Sequence, residues 1–384
     1  MDEYEKRKVA VARHHSGEKV TSIVRSLGKS RQWFYNWLSK YDLRKDDNSW
    51  FLDKSRAPKH RPSRLEQAIE QKILDIRNDL EDQHFSQKGA IAIQYEFRKL
   101  KLPPPPIWTI NRVIERHGLN KISVPQKHSR EYPELFLCTQ QMDLLGPRYI
   151  RGDGRFYGLN MIDTETHWAF SKPIRVKSSS EIVPAIAEYW STYQIPDALQ
   201  MDNELVFRGS NRYPRSFGLV VRFALTQGVA PVFIPIKEPW RNGIIEKFND
   251  TYQKRFLSTT RLANFNELAC ETKRFIDFHN ANHRYSAQKQ MTPYEAFQAN
   301  GRGICYEGHV HELKKIPLET GVIYFIRFIR SDLLLHLPTE HFKMDESLKY
   351  SYVVAEVNID RQSLIIRQNN EIKHIFPYHT PVDW

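Results

Sequence analysis

The stretch PWRNGIIEKFNDTYQKRF, residues 239 to 256, is the most informative part of the chain because it places an acid, Glu246, in a helix-like segment rich in cations. Two further acids end apolar, strand-like runs: Asp143 follows LFLCTQQM, and Asp202 follows PDALQM. Acids at two strand ends and on one basic helix are able to converge and hold divalent metal beside a nucleic-acid backbone. The cations around Glu246, which we expect to position DNA, are Arg241, Lys247, Lys254 and Arg255.

Three carboxylates suit metal-assisted chemistry at phosphodiesters. Cleavage and strand transfer need an activated oxygen nucleophile and a stabilised leaving oxygen, and two divalent ions about 4 Å apart serve both needs. Carboxylate oxygens are suitable ligands for Mg²⁺ or Mn²⁺. A single Asp at a strand end is more often a turn cap. Here Asp143 and Asp202 both follow apolar runs and a third acid is present, so the sequence predicts a site for two Mg²⁺ (or Mn²⁺) ions.

Size and charge limit the possible functions. The chain has 384 residues, 40% hydrophobic and 12% aromatic, which suffices for several domains with packed cores. A formal net charge of +12 favours a polyanionic partner. No apolar run approaches the roughly 20 residues that span a bilayer, and the charged start MDEYEKRKVA has no signal-peptide pattern. Three widely spaced cysteines form no CxxC pair. We therefore expect a reduced, cytoplasmic protein without a membrane partner.

Residues 1–45 have the pattern of a helix-turn-helix. Apolar residues recur at helical spacing on both sides of a glycine-containing turn, and Ser30 is a candidate N-cap for the second helix. We expect Trp33, Phe34 and Trp37 to pack in the core rather than to stack on bases. A recognition helix reads the major groove with its polar face. The candidate base-reading residues are Arg31, Gln32, Tyr35 and Asn36, and Lys40 on the same polar face is a further candidate DNA contact.

A second module follows a joint. Residues 46–63 are polar and basic and contain two prolines, so they are interpreted as a basic linker. Residues 64–120 then show another helical pattern. The run Pro103–Pro106 cannot continue a helix and forms the turn before IWTINRVIERHG, which predicts a second helix-turn-helix-like domain. Its candidate DNA contacts are Thr109, Arg112 and Arg116.

Residues 135–300 alternate between strand-like and helix-like segments. Three antiparallel strands, a helix, a strand, a helix and a strand are the order expected of an RNase H-like α/β core with a mixed five-stranded sheet. Residues 303–384 alternate apolar and polar positions, which predicts a small C-terminal β-barrel. The strand-like segments of the core are Leu135–Met142, Phe156–Ile162, His167–Ile174, the run before Asp202, and Val229–Ile234.

Together these motifs resemble DDE transposases and retroviral-type integrases, in particular the bacterial insertion-sequence branch. The family's local pattern Asn-Gly-x-x-Glu-x-x-Asn is matched by Asn242, Gly243, Glu246 and Asn249. The resemblance implies that Asp143 bridges two metal ions, while Asp202 and Glu246 each hold one. It also implies a bacterial, nucleoid-associated enzyme that binds the terminal inverted repeats of a mobile element, frees a 3′-hydroxyl and joins it to target DNA. Two element ends must meet, so a homodimer or a larger synaptic complex is expected.

Other acids compete with Glu246 for the third position. Glu238 has a spacing from Asp202 closer to that of the family, and Glu204 is nearer still to Asp202. The local pattern favours Glu246, whereas Glu238 precedes Pro239, a position biased away from helix.

Three more residues invite a functional interpretation. Asp163 is interpreted as a hairpin residue. His279 and His283 are four residues apart on a helical stretch, but no Cys or acid at metal spacing completes a zinc site, so a structural role is expected.

Two other functions compete with a transposase. One is a non-catalytic, sequence-specific DNA-binding protein, such as a repressor or a decayed transposase, although all three acids are intact. The other is a metal nuclease that hydrolyses without joining. Tandem helix-turn-helix modules favour the transposase, because a general nuclease has little use for a long specific site. The chain has no Walker-type glycine loop, so an ATPase, if the reaction needs one, is a separate protein.

Overall fold

A computed structural model describes residues 1–44, 47–53, 65–120, 131–300, 303–308 and 316–382. The chain divides into two compact units, Met1–Glu66 and Gln67–Trp384. Most of the predicted basic linker lies outside the described residues. Within the described ranges, no helix combines the length and the apolar character that a bilayer crossing requires.

The N-terminal unit contains the helices α1 (Glu3–His15), α2 (Val20–Leu27) and α3 (Arg31–Asp42). Gly28 ends α2 in the left-handed region with φ of 64°, which a residue without a Cβ adopts easily. Ser30 Oγ accepts a hydrogen bond from Trp33 N (3.1 Å), so the predicted N-cap is confirmed. Phe34 and Trp37 are buried, as their spacing predicts. Their burial leaves the polar side of α3 exposed, with Arg31, Gln32, Tyr35, Asn36 and Lys40 in solvent.

The second unit begins with α4 (Gln67–Asp82), α5 (Ala90–Lys99) and α6 (Ile107–Arg116), which pack on one another. The proline run before α6 has no helical structure, as expected. Buried Gln94 on α5 donates from Nε2 to Pro105 O (2.9 Å), which fixes the proline turn against α5.

Five strands of a nine-stranded sheet, counted among the described residues, have the mixed arrangement predicted for the core. Their order is β5-β4-β1-β2-β3. β2 is antiparallel to both β1 and β3, whereas β4 is parallel to β1 and β5 is parallel to β4. This sheet and its intervening helices match the order expected of an RNase H-like core. The strands are β1 (Thr139–Ile150), β2 (Gly154–Asp163), β3 (Ala169–Ile174), β4 (Ala198–Met201) and β5 (Ala230–Phe233).

Helices complete two apolar clusters with this sheet. The larger cluster includes Trp190 and Phe223, and the smaller includes Phe248 and Phe275. A 3-10 turn, Pro239–Asn242, precedes α10, and a π-helical turn, Gln253–Leu257, continues it. The helices are α7 (Ser179–Thr192), α8 (Leu205–Arg208), α9 (Leu219–Thr226), α10 (Gly243–Tyr252), α11 (Phe265–Asn282) and α12 (Pro293–Asn300).

The C-terminal strands extend the central sheet and do not close on themselves. β6 pairs in parallel with β5, and the sheet continues in the order β6-β9-β10-β11. β7 and β8 form a separate two-stranded sheet. The predicted small C-terminal β-barrel is therefore not confirmed: the described strands form an open sheet, in which β6 satisfies the backbone groups along the free edge of β5. The strands are β6 (Val322–Phe328), β7 (Leu334–His336), β8 (His341–Lys343), β9 (Tyr352–Asn358), β10 (Ser363–Gln368) and β11 (Glu371–Pro377).

Arg327 on β6 fastens the C-terminal strands to the core. Its side chain is buried and donates hydrogen bonds to Ile234 O (3.0 Å), His336 O (2.9 Å) and Asn203 Oδ1 (2.6 Å). Burial lowers the pKa of the guanidinium to about 9. Ile234 follows β5, His336 ends β7 and Asn203 follows β4. The side chain of Arg327 therefore connects three parts of the fold.

Candidate active site

Asp143 lies inside β1 and not at the end of a strand as the sequence predicted. The strand continues to Ile150 because the hairpin with β2 pairs residues on both sides of Asp143, which faces Asn160 across the strands. Asn249 Nδ2 donates to Asp143 Oδ2 (2.7 Å), and Asn160 Nδ2 donates to Asn249 Oδ1 (2.7 Å). This chain of hydrogen bonds orients the carboxylate and connects it to α10.

Asp202 follows β4 directly, as predicted. Its Oδ1 accepts a hydrogen bond from Glu204 N (2.9 Å). In the parallel pairing of β1 with β4, Gln141 lies opposite Gln200. Asp143 and Asp202 each follow two residues later, so the register brings the two aspartates side by side.

Glu246 lies in the first turn of α10 and is exposed. The start of this helix is held by a side chain of β1: Gln141 Oε1 accepts hydrogen bonds from Ile244 N (3.1 Å) and Ile245 N (3.0 Å). Two N–H groups that a helix start leaves without intrahelical partners are thereby satisfied by the strand that carries Asp143.

A second glutamine and an asparagine complete this attachment. Gln200 Nε2 donates to Arg241 O (3.0 Å), and Asn242 Nδ2 donates to Met142 O (3.2 Å). Gln141 and Gln200, each two residues before an aspartate, were missed by sequence reasoning. The signal that could have found them is the spacing of two residues between glutamine and aspartate, which puts both side chains on the same face of an extended chain.

We expect Gln141→Ala to lower the free energy of unfolding by about 1–2 kcal/mol, because two helix N–H groups lose their acceptor. Loss of this support should also cost about 10- to 100-fold in activity and raise the Mg²⁺ concentration for half-maximal activity. Gln140→Ala is the matched control, since Gln140 bonds to Trp190 and Gln194 on the other side of β1. An equal change of Mg²⁺ requirement in both variants would contradict a specific role for Gln141.

The three acids influence one another electrostatically. Burial raises the pKa of Asp143 to about 6, with a further contribution from the charge of Glu246. Burial also raises the pKa of Asp202 to about 6, assisted by the charges of Glu204 and Asp143. The pKa of Glu246 is raised because the surrounding protein partly desolvates its carboxyl group, although the residue is exposed, and because Asp202 carries the same charge. Among the described residues, no group of three His, Cys, Asp or Glu side chains is already arranged to hold a metal ion. The three acids are close enough for the charge of each to affect the pKa of another.

Asp143 and Asp202 are expected to contribute progressively less to the free energy of unfolding of the metal-free protein as pH rises from about 4 to about 6, whereas the buried His279 and His283 contribute more over the same interval. Folded Asp143 and Asp202 retain protons up to a pKa of about 6, whereas the unfolded chain releases them near 3.8, so these two carboxyl groups bind more protons in the folded state in this interval. Asp143→Asn removes one repelling charge and should raise the Tm at pH 7 in EDTA by about 3 °C. Calorimetry of the wild type and Asp143→Asn across pH tests this, because the histidines are common to both proteins; a Tm difference between variant and wild type that does not grow from about pH 4 to about 6 would contradict it.

The competing acids have other partners. Glu238 Oε2 accepts hydrogen bonds from Arg241 Nε (3.2 Å) and Tyr352 Oη (2.7 Å). Glu204 forms an ion pair with Lys177 and contributes to the raised pKa of Asp202. Glu238 thus belongs to a cluster that joins the start of α10 to β9, while Glu204 borders the acidic site.

The cations predicted along the Glu246 segment have different surroundings. Arg241 is paired with Glu238 and lies over the Tyr132 ring (4.0 Å), so its charge is engaged inside the protein. Lys247 is exposed. Lys254 is exposed and pairs with Asp250 (2.6 Å). Arg255 is half-buried, and burial lowers its pKa. Lys247 and Lys254 therefore lie at the surface, Lys254 beside Asp250, whereas the charge of Arg241 is directed into the protein.

The candidate contacts on α6 also differ from one another. Arg112 is exposed and lies over the Trp108 ring (5.1 Å). Arg116 is exposed and pairs with Glu70 (2.7 Å), and Thr109 is half-buried. Arg112 is thus the member of this set whose guanidinium is most open to a DNA phosphate.

The remaining polar candidates, Asp163, His279 and His283, make contacts inside the protein. Asp163 Oδ1 accepts hydrogen bonds from Thr166 N (2.7 Å) and Glu165 N (3.0 Å), as expected of a hairpin residue. His279 and His283 are buried, and burial lowers the pKa of His283 to about 4 and that of His279 well below its usual value. Both imidazoles are therefore neutral at pH 7 and act in packing.

Sequence comparison confirms the resemblance to integrases. The integrase core domain family matches residues 227–293, which contain Glu246 and the motif around it. A putative integrase, ORF3 of Spiroplasma virus SpV1-C74, is 22% identical over 286 residues, which are 68% of this chain and 78% of the viral protein.

Solved structures similar to this chain include several retroviral proteins. The catalytic core domain of BIV integrase has a TM-score of 0.32 and 13% identity, and the match covers 42% of this chain and 94% of that chain. The HTLV-2 integrase catalytic core domain in complex with magnesium has a TM-score of 0.30 and 14% identity, with 42% and 97% covered. A simian T-cell lymphotropic virus intasome has a TM-score of 0.36 and 11% identity, with 77% and 94% covered.

Proposed function

We propose that this protein is a DDE transposase or integrase that cleaves the ends of a mobile element and joins them to target DNA. The integrase core domain match supports a DNA integration function and an enzyme of the nucleotidyl-transferase type. The observation that carries the proposal is geometric: the register of β1 with β4 brings Asp143 beside Asp202, and Gln141 holds the start of the Glu246 helix on β1. Burial and the charges of neighbouring acids raise the pKa of all three carboxyl groups, which agrees with this placement.

This donor set fits divalent metal ions. Clustered carboxylates that repel one another are neutralised by cations, and their hard oxygen atoms suit Mg²⁺ or Mn²⁺. Asp143, Asp202 and Glu246 are the residues that would hold the ions. When bound, two such ions activate the attacking oxygen and stabilise the leaving oxygen of a phosphodiester.

The residues around the acids keep this donor set in place. Asn249 orients the Asp143 carboxylate from α10, and Asn160 orients Asn249 from β2. Gln141 and Gln200 hold the start of α10, so that Glu246 stays beside the two strands that carry the aspartates.

Specific DNA binding is assigned to the N-terminal modules, residues 1–45 and 64–120. The exposed face of α3 offers hydrogen-bonding side chains to base edges, and Arg112 on α6 offers a cation to the backbone. Two such modules in tandem read a longer site at the terminal repeats of the element. Because two ends are joined in one event, the active form is a homodimer or a larger synaptic complex on double-stranded DNA, in the bacterial nucleoid.

A strand-transfer assay tests this function. Labelled duplex carrying the repeat that flanks the gene is incubated with a target plasmid and Mg²⁺ or Mn²⁺, and joined products are sequenced. Metal-dependent joining of the element end supports the proposal. Specific binding without products under either metal would instead indicate a non-catalytic DNA-binding protein, and cleavage without joining would indicate a nuclease.

A further inference from the structure

An open cavity of about 420 Å³ lies between the tip of the β1–β2 hairpin and the π-helical end of α10. We call it the hairpin cavity. Its polar lining includes Arg148 and Arg151 from the hairpin, and Gln253, Ser258 and Thr260 from the segment that continues α10. None of these residues belongs to the acidic site.

The hairpin cavity has a positive charge that carboxylates do not offset. Arg148 and Arg151 are exposed, and among the described residues neither has an acidic partner within salt-bridge distance. The nearest acid of the hairpin, Asp153, is already paired with Arg175 (2.8 Å). Gln253 Oε1 accepts a hydrogen bond from Arg148 Nη2 (2.7 Å), which holds this guanidinium at the cavity wall.

An aromatic side chain accompanies the cations. Tyr149, between the two arginines, lines the cavity and is 74% exposed. Arg155 lies opposite Tyr149 on β2 and is also exposed. Arginines interleaved with an exposed aromatic ring suit a nucleic-acid backbone, in which phosphates alternate with apolar sugars and bases.

Two elements lead from the acidic site to this cavity. Along β1, Arg148 follows Asp143 by five residues, which is about 15 Å. Along α10, Gln253 follows Glu246 by seven residues, which is about 10 Å. Duplex DNA rises about 3.4 Å per base pair, so a strand whose reacting phosphate lies at the acids would have another phosphate beside the cavity about three to five nucleotides away.

We propose that the hairpin cavity binds a backbone phosphate of the DNA whose end reacts at Asp143, Asp202 and Glu246. Arg148 and Arg151 neutralise the phosphate, Gln253 orients Arg148, and Tyr149 packs on the adjoining sugar or base. This inference rests on the proposed function, because it assigns a contact to the same DNA substrate. The contact is to the backbone, so it sets the path of the DNA and not the sequence that is read.

The salt dependence of DNA binding tests the proposal. The full chain is titrated with a fluorescent duplex of roughly 25 base pairs in Ca²⁺, at KCl concentrations from about 50 to about 300 mM. Each lost phosphate contact is expected to reduce the slope of log affinity against log salt by about 0.9, and Arg148→Gln combined with Arg151→Gln, which removes one phosphate contact, should reduce it by about this amount. Affinity at low salt should fall about 10-fold or more.

Matched variants separate this effect from misfolding. Arg361→Gln removes an exposed arginine in the turn between β9 and β10 and should lower the slope less than the double variant does. Arg148→Lys combined with Arg151→Lys keeps both charges and should retain the wild-type slope. A double glutamine variant whose slope equals that of Arg361→Gln overturns the proposal.

The outcomes also distinguish this inference from the proposed function. If the wild-type protein joins strands and the double glutamine variant keeps the wild-type salt dependence of DNA binding, the cavity assignment is wrong and the proposed function stands. A wild type that binds DNA but never joins strands overturns the proposed enzyme, and the slope of the double variant then still decides whether the cavity holds a phosphate. In strand transfer, the double variant should raise the DNA concentration for half-maximal rate more than it lowers the saturated rate.

Discussion

Asp143→Asn, Asp202→Asn and Glu246→Gln are each expected to reduce strand transfer by about 1000-fold or more, while DNA binding by the N-terminal modules is retained. The physical reason is that a neutral amide does not replace a carboxylate as a ligand for Mg²⁺, and each variant removes one charge from the group. Wild type and variants are compared in the strand-transfer assay under single-turnover conditions, with affinity for the repeat measured in parallel.

Glu238→Gln is the matched acid control for this series. Its carboxylate is occupied by Arg241 and Tyr352, so we expect its activity to stay within about 10-fold of the wild type. An inactive Glu238→Gln together with an active Glu246→Gln would transfer the third position to Glu238. If Asp143→Asn or Asp202→Asn retained strand-transfer activity, the proposed metal site would be wrong.

Arg327→Met is expected to lower the free energy of unfolding by about 3–5 kcal/mol. Methionine fills part of the volume but has no donors, so His336 O and Asn203 Oδ1 lose the buried guanidinium as a donor, while Ile234 O retains the hydrogen bond from Asn203 Nδ2 (2.7 Å). Urea denaturation at fixed protein concentration measures the change. Activity should fall as well, because Asn203 lies next to Asp202.

Arg330→Met is the control for Arg327, since Arg330 lies just beyond β6 and is exposed. We expect this change to alter the free energy of unfolding by less than about 0.5 kcal/mol. If Arg327→Met were equally mild, β6 would not be integrated into the core, and a separate C-terminal β domain would again be the better description.

Much of the fold was predictable because its signals are local. Helical spacing and an N-cap serine predicted α3, a proline run marked the start of α6, and the order of apolar runs predicted the five core strands. The extent of β1 was not predictable in the same way. Whether a strand stops at Asp143 or continues to Ile150 depends on whether β2 pairs with its second half, and the partner strand is a tertiary property.

The candidate site was predictable in part for the same reason. The types of residue that metal chemistry needs stand out in the sequence, as do the motif around Glu246 and the apolar runs before the aspartates. The supporting residues do not stand out, because amides such as Gln141 and Asn249 are common and their partners are more than 100 residues away. The surroundings of Arg241 also do not stand out in the sequence. Its charge suggests a DNA contact, but in the folded chain it pairs with Glu238 and lies over the Tyr132 ring.

Local patterns in the sequence predicted the kinds of elements in this protein, the acids that we propose carry its chemistry and the positive charge that suits a DNA partner. These follow from spacing, composition and local backbone preference, which act over a few residues. Three further features depend on the folded chain: β6 joins β5 in an open sheet, strand glutamines hold the start of the Glu246 helix, and Arg148 and Arg151 meet Gln253 in one cavity. Each of these depends on distant segments meeting, and a free sheet edge, a helix start or a surface cation does not specify its distant partner.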